Sequence, residues 1–198
     1  MGIIQKDALR TMVISYFGLF LGYLNKGVLF IIFLTTKEIG IISLILSVGY
    51  LFAQFTNLGS LYSIWKFLPY FRDKEKNNYG FLSFNFIVVS VGVTIFTFLY
   101  VVFKNEIGSY YAVNSPDFIK YYYFVLPIGV FLGYYFLFDN YLRSLFKNTF
   151  SVFLNDIVLR LMTTAAIVLY ALKLIGFSDL VNIVCFSYVL LPVILYAY

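Results

Sequence analysis

Histidine is absent from this sequence of 198 residues, and Cys185 is its single cysteine. Without histidine, the sequence lacks the side chain that most often serves as a general base or binds a metal ion. One cysteine can form neither an intramolecular disulfide nor a cysteine-based metal cluster. The motifs HExxH and CxxC and the glycine-rich nucleotide-binding loops are also missing. We therefore predict no catalytic residues, no metal site and no cofactor, and a protein that is not an enzyme.

Charged residues are scarce as well. They make up 12% of the sequence, against 62% hydrophobic and 22% aromatic residues. Soluble domains are about half apolar and about a quarter charged, because water must be met by a polar surface. This composition suits lipid, with phenylalanine in the acyl region and tyrosine at the interface. The net charge of +5 is modest, and we attribute it to cytoplasmic loops rather than to nucleic-acid binding.

Six segments are long and apolar enough to span a bilayer, which takes about 20 residues. Polar or charged stretches separate these segments, which cover residues 11–34, 39–64, 80–103, 119–141, 149–172 and 179–198. We therefore predict an all-α fold, a polytopic transmembrane helix bundle that forms one domain over residues 1–198. Since the sixth segment is still apolar at Tyr198, we expect the sequence to be the first part of a longer protein.

The basic residues near the ends of the segments predict the orientation. Eight of them fall on the side of the N-terminus: Lys6, Arg10, Lys66, Arg72, Lys74, Lys76, Arg143 and Lys147. Four fall on the opposite side: Lys37, Lys104, Lys120 and Lys173. Because cytoplasmic loops carry an excess of lysine and arginine, we predict that the N-terminus is cytoplasmic.

Two further basic residues, Lys26 and Arg160, lie well inside predicted spans. A charge at the middle of a membrane helix costs roughly 2.5–3.5 kcal/mol, so such residues are usually functional. Two structural alternatives stay open. Lys26 could extend its flexible stem to the interface. Arg160 could pair with Asp156, one helical turn earlier on the same face, although a paired arginine can still line a substrate cavity.

The second segment carries a polar stripe. Its members follow one another at spacings of four, three, four and three residues, which places them on one face of a helix: Ser43, Ser47, Tyr50, Gln54 and Asn57. Contact between such a face and lipid is unfavourable. The face must therefore form hydrogen bonds with other helices or line a cavity, and we favour the cavity. In the first segment, Gly18 and Gly22 share a face with Lys26 and predict close packing there.

Residues 22–80 contain four short sequences that together suggest a family resemblance. They are Asn25-Lys26-Gly27 inside the first segment, Glu38-Ile39-Gly40 directly before the second, Asn57-Leu58-Gly59-Ser60 towards its end, and Trp65-Lys66-Phe67-Leu68-Pro69 before a basic loop. Together with the topology, they resemble the N-terminal half of polysaccharide flippases. These are the O-antigen and teichoic-acid transporters of the multidrug, oligosaccharidyl-lipid and polysaccharide exporter superfamily.

The resemblance implies one six-helix lobe of a two-lobe transporter in the bacterial inner membrane. It implies alternating-access flipping of a lipid-linked oligosaccharide for cell-surface polysaccharide biosynthesis. The partners would be this substrate, the lipid bilayer and a C-terminal lobe beyond the sequence. On this basis we predict five substrate-binding residues: Lys26, Arg160, Asp156, Gln54 and Asn57. The alternatives are a lipid II flippase, a cation-coupled multidrug exporter of the same superfamily, and a polytopic glycosyltransferase or polysaccharide polymerase.

Overall fold

A computed structural model describes residues 3–73, 77–112 and 115–197. These residues form helices joined by short connections, and they contain no β-strand. Within them, six helices are long and apolar enough to cross a membrane. The all-α, polytopic helix bundle expected from the sequence is therefore confirmed. Of the residues used to predict the orientation, Lys74, Lys76 and the side chain of Lys6 lie outside the described part of the chain.

We number the helices in chain order. Helix α1 consists of Ile3–Tyr23, a π-helical segment Leu24–Leu29, and Phe30–Phe33. Helices α2 to α5 are Thr36–Thr56, Ser60–Phe71, Phe81–Val102 and Lys104–Ala112. Helix α6, Val125–Ser144, follows a 3-10 helix Pro116–Phe124. Helix α7 consists of Thr149–Phe153, a π-helical segment Leu154–Val158, and Leu159–Ala171, and α8 is Phe177–Ala197.

Side-chain contacts hold the connections at two opposite ends of the bundle. At the end that holds the start of α1, the Thr11 and Thr149 hydroxyl oxygens lie 3.1 Å apart. At the other end, Lys37 Nζ lies 2.5 Å from an Asp117 carboxylate oxygen. The starts of α1 and α7 therefore lie near one end of the bundle, and the start of α2 lies near the other.

The second segment departs from the prediction at both ends. The predicted helix 39–64 is two helices, because α2 ends at Thr56 and α3 begins at Ser60. Between them, Leu58 and Gly59 have φ angles of 46° and 79°, which a continuous right-handed helix does not allow. At the other end, Glu38 belongs to the first turn of α2 and forms a capping box with Thr35, instead of lying in a loop before the helix.

The break between α2 and α3 lies deep in the bundle. Gly92 is near the midpoint of α4, which has 22 residues, and it packs directly against the carbonyl oxygen of Thr56. Gly133 of α6 leaves space for the Thr56 hydroxyl on another side. Backbone that is not helical is tolerated at membrane depth only where protein or a cavity covers it. The two glycines allow α4 and α6 to provide that cover.

We expect Gly92→Ala to destabilise the bundle. A Cβ at this position would collide with the Thr56 carbonyl oxygen, which belongs to the backbone and cannot rotate away. Overpacking of this kind costs about 1–3 kcal/mol, so the unfolding midpoint in detergent should fall clearly. Gly40→Ala in α2 is the matched control, because a Cβ there meets no atom within 4 Å. Equal midpoints for the two variants would contradict the packing of α2 against α4.

Candidate functional site

Helices α1 and α7 pack together through the glycines of α1. A Cβ on Gly18 would lie 2.6 Å from the Asp156 Cβ, and a Cβ on Gly22 would lie 2.5 Å from Arg160 Nη1. Each glycine therefore makes room for one charged side chain of α7. The predicted close packing on this face of α1 is confirmed.

Arg160 lies at the midpoint of its span, Thr149–Ala171, which has 23 residues. Its Nη1 donates a hydrogen bond to the Gly18 carbonyl oxygen, and its Nη2 lies 3.8 Å from Asp156 Oδ1. The other carboxylate oxygen of Asp156 accepts a hydrogen bond of 3.1 Å from the Ser15 hydroxyl. The Asp156–Arg160 pair considered from the sequence is therefore present, but its contact is long. The Arg160 side chain also stays 28% exposed, so it can accept a further partner.

Asn25 links α1 to α7 beside Arg160 through two hydrogen bonds. Its side chain is buried, its Nδ2 donates to the Arg160 carbonyl oxygen at 2.8 Å, and its Oδ1 accepts from the Thr164 hydroxyl at 2.7 Å. Sequence reasoning did not give Asn25 a role of its own. An asparagine directly before a basic residue at membrane depth was the available signal, because a buried amide must find partners.

Both helices widen into a π-helix at this contact. The π-helical segments are Leu24–Leu29 in α1 and Leu154–Val158 in α7, and each begins with the pair Leu-Asn. A π-helical turn contains an extra residue and occurs frequently at functional sites. Here the two segments contain Lys26 and Asp156. Hydrophobic periodicity gives no signal for such a turn.

A cavity of about 530 Å³ opens beside this contact, between α1, α2, α7 and α8. The polar side chains of its lining are Tyr23, Asn25, Lys26, Ser43, Ser47, Tyr50, Asn155, Arg160, Thr163 and Tyr188. Lys26 is exposed, and no ion-pair partner for it exists among the described residues. The lining contains two cations and no carboxylate, so the site can attract and hold an anion.

A second groove, of about 520 Å³, adjoins the cavity on the side of the Lys37–Asp117 ion pair. It shares Ser43 and Ser47 with the cavity and extends to Lys37 and Asp117. Polar surface therefore runs from the end of the bundle to the depth of Arg160. A charged ligand at that depth could keep part of its hydration along this route.

The polar stripe divides into three parts in the structure. Ser43, Ser47 and Tyr50 line the cavity. Gln54 is exposed but outside the lining. Asn57 is 1% exposed, and its Nδ2 donates to the Ala53 carbonyl oxygen at 2.6 Å. The structure thus brings Lys26, Arg160 and Asp156 together and leaves Gln54 and Asn57 apart from them.

Comparisons of the chain with protein-family models, with curated proteins and with solved structures find no match. The chemistry of the cavity is therefore inferred from its own residues. Two cations and several hydroxyl groups suit a ligand that is both anionic and rich in hydrogen-bonding groups.

We expect the Asn25–Thr164 hydrogen bond to appear as a coupling energy in a double-mutant cycle. Interhelical hydrogen bonds in membrane proteins average about 0.6 kcal/mol, with values up to about 1.7 kcal/mol. Asn25→Ala, Thr164→Ala and the double variant should therefore differ from additivity by an amount in this range. Unfolding by detergent titration measures the free energies. Strict additivity would contradict the direct contact between the two side chains.

Proposed function

We propose that the chain takes part in flipping a lipid-linked oligosaccharide across a bacterial inner membrane, with its N-terminus in the cytoplasm. The observation that carries the proposal is the cavity whose lining holds Lys26 and Arg160 at membrane depth and no carboxylate. A helix bundle that only anchors a protein gains nothing from two cations at membrane depth, each of which is costly in lipid. An anionic substrate offsets that cost when it binds.

A diphosphate headgroup fits the two cations. Arginine grips phosphate oxygens through two parallel hydrogen bonds, while lysine acts as a compact point charge. Nη2 of Arg160 is 3.8 Å from its acidic neighbour Asp156, beyond the usual length of a charge-assisted hydrogen bond, so a phosphate can replace that weak contact. Lys26 is exposed on the wall of the same cavity and can approach the headgroup from α1.

The hydroxyl groups of α2 suit the sugar part of such a substrate. Ser43, Ser47 and Tyr50 lie one helical turn apart along the cavity wall, and all three are exposed. Gln54 continues this exposed row by one more turn. Hydroxyl and amide side chains can both donate to and accept from sugar hydroxyl groups. Gln54 and Asn57 stay substrate-binding predictions: Gln54 would contact the sugar, whereas Asn57 is buried at the helix break.

The exposed polar row also supports a second helical unit opposite this one. A row of polar side chains facing hydrocarbon would be unfavourable, whereas a facing lobe would enclose it as the second wall of a central cavity. Two lobes that rock about a site near the midplane provide alternating access. This arrangement agrees with the resemblance to polysaccharide flippases.

The absence of carboxylates from the cavity lining favours an anionic substrate over the cationic substrates of a drug exporter.

We expect Lys26→Gln and Arg160→Gln to reduce transport of the lipid-linked oligosaccharide. Losing a hydrogen bond to a charged group costs about 1.5–3 kcal/mol, which corresponds to a roughly ten- to hundred-fold loss. The measurement is the amount of surface polysaccharide in the native host, at equal levels of the protein in the membrane.

Lys147→Gln is the matched control, because it removes one charge from an exposed position outside the cavity. It should leave surface polysaccharide unchanged. Normal polysaccharide in a Lys26→Gln/Arg160→Gln double variant would overturn the proposal. Loss of resistance to cationic dyes in that variant, with polysaccharide intact, would instead identify a drug exporter.

A further inference from the structure

The short helix α3 presents an aromatic and basic face that the described helices leave uncovered. Tyr62, Lys66 and Tyr70 follow at intervals of four residues, so they lie on one face of the helix, and Trp65 lies beside them. Tyr62 is 78% exposed, Tyr70 is 84% exposed and Trp65 is 58% exposed. Lys66 is exposed as well. Tyr62 lies close to the break between α2 and α3, whereas the other three residues lie nearer to Phe71 at the end of the helix, and we call Trp65, Lys66 and Tyr70 the headgroup face.

The opposite face of α3 fixes the helix to the bundle. Ile64 and Leu68 are buried in a cluster with Phe81, Val89 and Leu137, which belong to α4 and α6. Because Ile64 and Leu68 pack one side of α3 against the bundle, the headgroup face on the other side points away from it. It therefore meets the surrounding membrane rather than the cavity of Lys26 and Arg160.

The end of α3 lies level with the end of a spanning helix. The rings of Phe71, the last residue of α3, and Phe81, the first residue of α4, are stacked with their centroids 5.4 Å apart. The candidate membrane span that contains α4 begins at Asn78, so we place the membrane boundary beside these two rings. Tyrosine and tryptophan favour this boundary because each has an apolar ring and a polar group.

The charge of α3 complements an anionic headgroup. Its twelve residues contain Lys66 and no carboxylate, and the exposed Arg72 follows directly. The next carboxylate in the sequence, Asp73, accepts a hydrogen bond of 3.3 Å from the Tyr79 hydroxyl. We propose that the headgroup face, together with Arg72, binds the phosphate groups of anionic phospholipids. This proposal does not depend on the transport function.

Trp65 is the only tryptophan of the chain, and it reports directly on the lipid beside this face. The full chain is reconstituted into vesicles of phosphatidylcholine and phosphatidylglycerol, in which one lipid or the other carries brominated acyl chains that quench tryptophan on contact. We expect brominated phosphatidylglycerol to quench Trp65 more strongly than brominated phosphatidylcholine at the same mole fraction. The preference should be roughly five-fold for each basic side chain in low salt, and it should weaken in high salt.

In the double variant Lys66→Gln/Arg72→Gln, both brominated lipids should quench the fluorescence of Trp65 equally. Lys120→Gln/Lys173→Gln removes the same charge from exposed positions at the other end of the bundle and should keep the preference. Equal quenching of the unsubstituted protein by both lipids would overturn the proposal, whether or not the variants fold. An equal loss in both double variants would also overturn it, because net charge alone would then explain the preference.

Discussion

The site depends on one interaction, the packing of Arg160 against α1. Arg160 lies at the midpoint of the span formed by α7. An uncompensated charge at this depth costs roughly 2.5–3.5 kcal/mol. The protein offsets part of that cost with the Gly18 carbonyl oxygen and the Asp156 carboxylate. Gly22 supplies the space for the guanidinium group. Without small residues at both positions, α1 and α7 could not approach closely enough for these contacts.

The cavity follows from this contact. Because Asn25 ties α1 to the backbone of α7, the next residue, Lys26, is held on the wall beside Arg160. The π-helical turns in both helices shift the residues that follow relative to a regular helix. The result is a site in which Lys26, Arg160 and the hydroxyl groups of α2 line one cavity.

Much of this arrangement could be predicted from the sequence, because length and hydrophobicity alone define six spans. The spacing of Gly18 and Gly22 and the one-turn interval between Asp156 and Arg160 also predicted contacts that the structure contains. The break at Leu58 and Gly59 was missed, although a glycine shortly after an asparagine is a helix-stop signal, because the hydrophobic residues continue on both sides of it. The π-helical turns and the bridging role of Asn25 depend on tertiary packing, which overrides local propensity.

The most direct test of an electropositive, water-accessible cavity is the reactivity of a cysteine at position 26. In a Cys185→Ser background, Lys26→Cys should react with an anionic methanethiosulfonate reagent faster than with a cationic one, after correction for their rates with a free thiol. Arg160 attracts the anion, so the difference should disappear when Arg160→Gln is added. Equal rates with Arg160 present, or no reaction from water, would contradict an anion-binding cavity.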